Sequence, residues 1–181
     1  MTDALKQELL ALARRSIASR FDHSQVENPH NPEFQPHRGV FVSLHKDGDL
    51  RGCIGYIKGY KSIADSVIEM AQQAAFHDPR FRPLREQELP ELNIEISILS
   101  ELLPVTDSDA LQIGRDGLYI QHPHGSGLLL PQVPSEWHWD LPTFLTQLCR
   151  KAGLPDGAWK DAAAQLFRFE AEVFSESDFL P

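Results

Sequence analysis

The chain has 181 residues, with 17 basic and 26 acidic side chains and a formal net charge of -9. That length suffices for one substantial core or for a domain divided into two lobes. The acidic balance opposes the phosphate field of nucleic acid and no basic tract offsets it, which argues against a nucleic-acid partner. No apolar run approaches a membrane span, and the polar opening from Met1-Thr2-Asp3 to Glu8 is unlike a secretion signal, so no membrane partner and a cytoplasmic location are expected.

Leu5, Leu9, Leu12 and Ile17 recur at helical spacing and predict an amphipathic helix over about residues 3–18. From Arg20 to Pro36 the chain is polar and rich in His, Asn and Pro, and reads as a long irregular segment of the kind that forms lids, binding loops or disordered stretches. Val40, Val42 and Leu44 then alternate with Phe41, Ser43 and His45 up to Asp47-Gly48, preferred chemistry for a tight hairpin turn. Ser62 with Asp65 three residues on is a capping-box pattern, and Ile63, Val67, Met70, Ala71 and Ala74 form the apolar stripe of a helix ending near Phe76.

The prolines of Asp78-Pro79-Arg80-Phe81-Arg82-Pro83-Leu84 block regular structure. Beyond them Ile94, Ile96 and Ile98 alternate with Asn93, Glu95 and Ser97 as in a half-buried strand, which turns Glu95 away from the isoleucine side. Ile113 to Val133, punctuated by four glycines, reads as turns and short strands ending at Pro131. Asp140 caps a helix to about Ala152, with Gly153 and Pro155 just past its end. Phe167, Phe169, Ala171 and Val173 alternate with Arg168, Glu170 and Glu172 as one final strand. Helices and hairpins in this mixed order predict an α+β fold with a largely antiparallel or mixed sheet and flanking helices.

Several familiar chemistries are absent. The Gly125-Ser126-Gly127 turn runs into Leu128-Leu129-Leu130-Pro131 and not into a lysine-bearing helix, so it is no phosphate loop. There is no Gly-x-Ser-x-Gly elbow and no His-Glu-x-x-His helix. Pro123 between His122 and His124 suggests a turn and surface loop histidines, and no metal is expected. Cys53 and Cys149 lie too far apart in sequence to suggest a disulfide framework and neither belongs to a Cys-x-x-Cys pair. Cys149 falls on one apolar stripe with Phe144, Leu145, Leu148 and Ala152, a core position.

Leu50-Arg51-Gly52-Cys53-Ile54-Gly55 is the most informative stretch. A strand that only fills a core has no use for two glycines, which mark a bulge or a close approach by a ligand or another backbone. In an extended segment Arg51 and Cys53 point to one face, and a guanidinium beside a thiol favours the nucleophilic thiolate. Cys53 reads equally as a small buried apolar side chain. Asp78 and Arg80 read either as a local ion pair shaping a turn or as polar anchors, and Glu95 and Glu136 either as solvated charges or as members of one cleft with Cys53.

Leu50-Arg51-Gly52-Cys53-Ile54-Gly55, Asp78-Pro79-Arg80-Phe81, Ile94-Glu95-Ile96-Ser97-Ile98-Leu99 and Gly127-Leu128-Leu129-Leu130-Pro131-Gln132-Val133, in this order, resemble the AMMECR domain family, whose bacterial form is called AmmeMemoRadiSam system protein A. The resemblance covers nearly the whole chain as a single domain. It implies two unequal lobes, the larger containing both termini and the smaller from the middle of the chain, with the six-residue motif near a cleft between them. It also implies association with a Memo-type protein and with a radical S-adenosylmethionine protein, but supplies no cofactor and no reaction for the domain itself. Pro134, where the family has a small residue, and Trp137-His138-Trp139 depart from its usual pattern.

Two readings of different class follow. In the first the protein is a binding or accessory component for a small molecule, a peptide or the associated proteins, with Arg51, Gly52, Gly55, Asp78, Arg80, Glu95, Gln132 and Glu136 as candidate binding residues. In the second Cys53 is the nucleophile of an acyl or alkyl transfer or hydrolysis, with Arg51 supporting the thiolate and His45, across the same hairpin, as candidate base.

Overall fold

Thr2 starts the first helix by accepting the Leu5 N–H on its side chain, and α1 runs over Asp3–Asp22, beyond the predicted end near residue 18. Its close is left-handed: His23 (φ 56°) turns its N–H back to the Ser19 carbonyl. The structure, a computed structural model, describes residues 1–180. Strands β1 (Val40–Lys46) and β2 (Asp49–Tyr56) follow, joined at Asp47 and Gly48, both with positive φ as a tight hairpin turn requires. Helix α2 (Ile63–Phe76) is capped by Ser62, and β3 spans Leu92–Leu99.

Next come β4 (Leu103–Pro104), β5 (Gly117–His122), β6 (Gly125–Leu129), α3 (Gln132–Glu136), α4 (Leu141–Lys151), β7 (Gln165–Phe169) and β8 (Ala171–Ser175). Two four-stranded sheets result, ordered β2-β1-β3-β8 and β4-β7-β5-β6. The α+β class with antiparallel pairing is therefore as expected. The chain divides into two units, one of Met1–Ile98 with the residues from Glu172 on, the other of Leu99–Ala171.

In the first unit Leu9, Leu12, Ile17, Val40, Val42, Leu44, Val67, Ile94 and Ile96 share one core. The segment after α1 is tied down. Phe34 is fully buried, Asn28 donates to the Asp65 carboxylate at 2.9 Å, and Asn31 caps a short 3-10 turn at Pro32–Phe34. One large side chain in the core and two asparagine anchors fix what composition alone reads as loose chain.

In the second unit Leu118, Ile120, Phe144, Leu145, Leu148 and Cys149 form a separate core. Gly125 and Gly127 let β6 approach the end of α4, since a Cβ at either would overlap backbone of Ala152. Two local expectations change here. The Pro131-Gln132-Val133-Pro134 turn opens the one-turn helix α3. The side chain of His122 is only 9% exposed, so it is not a simple surface histidine.

The predicted last strand is in fact two strands in two sheets. Phe169 is buried and Val173 exposed, whereas Phe174 is buried, so the inward phase slips by one residue across Glu170. The Glu170 backbone is held by Ser100, whose N–H donates to the Glu170 carbonyl at 2.8 Å and whose hydroxyl accepts the Glu170 N–H at 2.9 Å. A change of sheet resets which alternate residues face a core.

Candidate functional site

The hairpin register decides where the cysteine points. Next to the turn, Lys46 pairs with Asp49 and His45 with Leu50, but Leu44 pairs with Gly52 and Ser43 with Cys53, so Arg51 is an extra residue in β2. This bulge reverses the facing of everything beyond it. Without it Cys53 would sit opposite Val42, on the core side. With it Gly52 and Ile54 join the core side and Cys53 joins Ser43 on the other face.

Ser43 also pairs with Glu95 of β3, so Cys53, Ser43 and Glu95 form one cross-strand row. The Ser43 hydroxyl donates to the Cys53 Sγ at 3.2 Å. Neighbouring strands lie about 4.8 Å apart, which sets Cys53 and Glu95 two strand spacings from one another. His45 is on the same face of β1 two residues from Ser43, and its Nε2 is buried without a hydrogen-bond partner among the described residues.

Both motif glycines are filled by the protein's own atoms. A Cβ at Gly52 would overlap the carbonyl oxygen of Ala74, where α2 lies against the sheet. A Cβ at Gly55 would meet the ring of Phe41, its cross-strand partner. The close approach inferred from these glycines is thus a helix backbone and an aromatic ring.

Asp78 and Arg80 finish the strand edge. The Asp78 carboxylate, only 1% exposed, accepts the Cys53 N–H at 2.9 Å, and the Arg80 Nη2 donates to the Cys53 carbonyl at 3.2 Å. Asp78 also accepts from the Arg80 N–H at 3.0 Å, from Nε at 3.0 Å and from Nη2 at 2.7 Å. Two side chains thereby supply the donor and acceptor that a further strand would bring. The Arg80 hydrogen bonds, aided by the Cys53 N–H and opposed by burial, hold the Asp78 carboxyl at about 2, below its ordinary 3.8. Asp78 in turn pushes the Arg80 pKa up.

Arg51 is committed elsewhere. Its Nε and Nη2 donate to the two carboxylate oxygens of Glu88 at 3.0 and 3.2 Å, a paired geometry that lowers the Glu88 pKa. The guanidinium bonded to the cysteine peptide is therefore that of Arg80. Gln132, whose Oε1 is buried without a partner among the described residues, and the exposed Glu136 belong to α3 in the second unit. Among the described residues no group of three or more His, Cys, Asp or Glu side chains is arranged to hold a metal ion. No helix among them is long and apolar enough to cross a membrane.

Ser43 and Glu88 escaped the sequence reading. The Asp47-Gly48 turn would have supplied a register for Ser43, but a two-residue turn counted outward pairs Ser43 with Gly52, and the bulge shifts it by one. Glu88, 37 residues from Arg51, left no local signal.

The same architecture recurs in other proteins. The crystal structure of the uncharacterized protein PH0010 from Pyrococcus horikoshii matches with a TM-score of 0.92 at 36% identity, covering 97% of this chain and 93% of that one. A protein of Methanothermobacter thermautotrophicus is 44% identical over an alignment of 149 residues that covers 79% of this chain and 78% of that protein. Protein TK0174 of Thermococcus kodakarensis is 42% identical over 183 residues, covering 93% of this chain and 88% of that protein. The family model AMMECR1 matches residues 10–174, and the chain belongs to the AMMECR1 family.

Proposed function

We propose that the protein is a cytosolic binding or accessory component whose recognition surface is the Cys53 face and edge of the first sheet, acting with a Memo-type protein and a radical S-adenosylmethionine protein. The observation that carries this reading is the state of Arg80. Hydrogen bonds to Asp78 and to the Cys53 carbonyl hold its guanidinium, yet its side chain is 57% exposed. A guanidinium fixed before a partner arrives loses little rotamer freedom on binding, and with Nε and Nη2 taken by Asp78 and the Cys53 carbonyl it offers Nη1 to a carboxylate or phosphate oxygen. The two partners come from the family resemblance, and the anchored arginine is a feature suited to an acidic group on either.

Binding of the full chain to a Memo-type protein and to a radical S-adenosylmethionine protein from one source, by calorimetry, tests the reading. Arg80→Ala is expected to weaken binding by about tenfold or more, and Cys53→Ser to change it by less than about threefold. Absence of binding to both proteins by the unaltered chain, or full affinity in Arg80→Ala, overturns it.

One observation favours the cysteine-dependent alternative. The Ser43 hydroxyl donates to Sγ, an arrangement that also stabilises a thiolate, and His45 shares the face. That reading requires turnover that Cys53→Ser abolishes while the fold stays intact.

A further inference from the structure

A cavity of about 380 Å³ lies in the first unit, lined among others by Lys46, Arg51, Arg82, Arg85, Glu88 and Glu91. In a chain of net charge -9 this lining is cationic. Glu88 is paired with Arg51 and Glu91 with Lys46, and neither the Arg82 nor the Arg85 guanidinium is in an ion pair among the described residues. Two positive charges are left without a counter-charge.

The arginines stand on a fixed backbone. Between them, Leu84 is buried and donates its N–H to the Ala75 carbonyl at 2.8 Å, Pro83 restricts φ, and the Arg85 N–H is held by the Glu88 carboxylate at 2.9 Å. Arg51 gives Nε and Nη2 to Glu88, but its Nη1 is buried with no hydrogen-bond partner among the described residues, a donor whose desolvation they do not offset. Forked donors, uncompensated positive charge and a volume at the small end of ligand pockets together describe an oxyanion site.

We infer that this cavity binds a small polyanion bearing phosphate or carboxylate groups, with Arg82 and Arg85 as its charge partners and the Arg51 Nη1 as a further donor. The site does not depend on Arg80, so it stands or falls separately from the partner-binding reading.

Titration of the full chain with sodium pyrophosphate and with citrate, each against sodium chloride at matched ionic strength, tests the inference by calorimetry and thermal unfolding. Saturable binding with a dose-dependent rise in melting temperature is expected for at least one polyanion. The double variant Arg82→Ala/Arg85→Ala should weaken it by about tenfold or more, and Arg82→Gln/Arg85→Gln, which shortens neither backbone nor most of the stem, should do the same. Arg15→Ala, an exposed arginine on α1 outside the lining, should leave affinity within about twofold. Pyrophosphate binding alone assigns phosphoryl groups, and citrate binding alone assigns carboxylates. No binding above the chloride control, or affinity that survives both double variants, overturns the inference.

Discussion

Asp78 accepts the outward-facing N–H of Cys53 at 2.9 Å, so the edge of the first sheet is completed at its cysteine by a carboxylate 25 residues further along the chain. Arg80 closes the same unit from the carbonyl side. The ion pair read from sequence as a turn-shaping feature is thus also a clamp on the peptide of the family motif, and the position of the thiol depends on it.

The clamp makes stability depend on acid. Asp78 titrates at about 2 in the folded chain against an ordinary 3.8. A carboxyl with a depressed folded pKa contributes stability that is present above the unfolded value and is lost as pH falls through the folded one, so the window is roughly pH 4 to 2. Because Arg80 is half-exposed and solvent screens the pair, we expect about 1–2 kcal/mol from this group. Urea unfolding of Asp78→Asn across that range should show a shallower acid loss than the unaltered chain, and identical pH profiles would contradict the assignment.

Gly52 and Gly48 should respond differently to alanine. At Gly52 the new Cβ meets the Ala74 carbonyl and α2 must move, a cost of about 3 kcal/mol or more. At Gly48 nothing lies within 4 Å, and only the positive φ of 86° is penalised, at about 1 kcal/mol. Chemical denaturation of the two single variants measures both, and equal losses would mean that helix approach is not what requires glycine in the motif.

Alkylation by iodoacetamide, read thiol by thiol with mass spectrometry, separates the two functional readings. Cys149 is fully buried in the second core and should react only on unfolding. Cys53 is half-buried and accepts the Ser43 hydroxyl, and on the binding reading it should label slowly near neutral pH. Fast labelling that persists below neutral pH would indicate an activated thiolate and favour the nucleophile.

Arg14→Lys should not be conservative. The Arg14 guanidinium donates twice to Glu176, at 2.6 Å each, and to the carbonyls of Leu89 at 2.7 Å and Leu92 at 2.8 Å, tying α1 to β3 and to the final segment. An ammonium cannot reproduce this fork, and a loss of about 2 kcal/mol is expected by thermal or urea unfolding. An unchanged midpoint would show that the four bonds are replaced by water at no cost.

Local pattern made much of the fold legible. Helical spacing of Ile63, Val67, Met70 and Ala74 and the Ser62 cap placed α2, alternation of Ile94, Ile96 and Ile98 placed β3, and Asp47-Gly48 placed the hairpin, because each signal lies within a few residues of what it specifies. The segment at 165–175 misled for the same reason. Its alternation runs on through Glu170, while the backbone there leaves one sheet for another, and nothing local marks the change.

By itself the amino-acid sequence determined the strongly periodic elements, such as α2 and β3, the hairpin turn chemistry, the core position of Cys149 and membership of the family through its motif. Only the tertiary structure decided the site. The bulge at Arg51 turns Cys53 away from the core, α2 fills Gly52, Glu88 takes Arg51, and Asp78 with Arg80 takes the Cys53 peptide. A one-residue shift in register reverses the facing of a strand, and an ion pair between distant residues exists only once the backbone brings them together. Periodicity along the chain carries no trace of either.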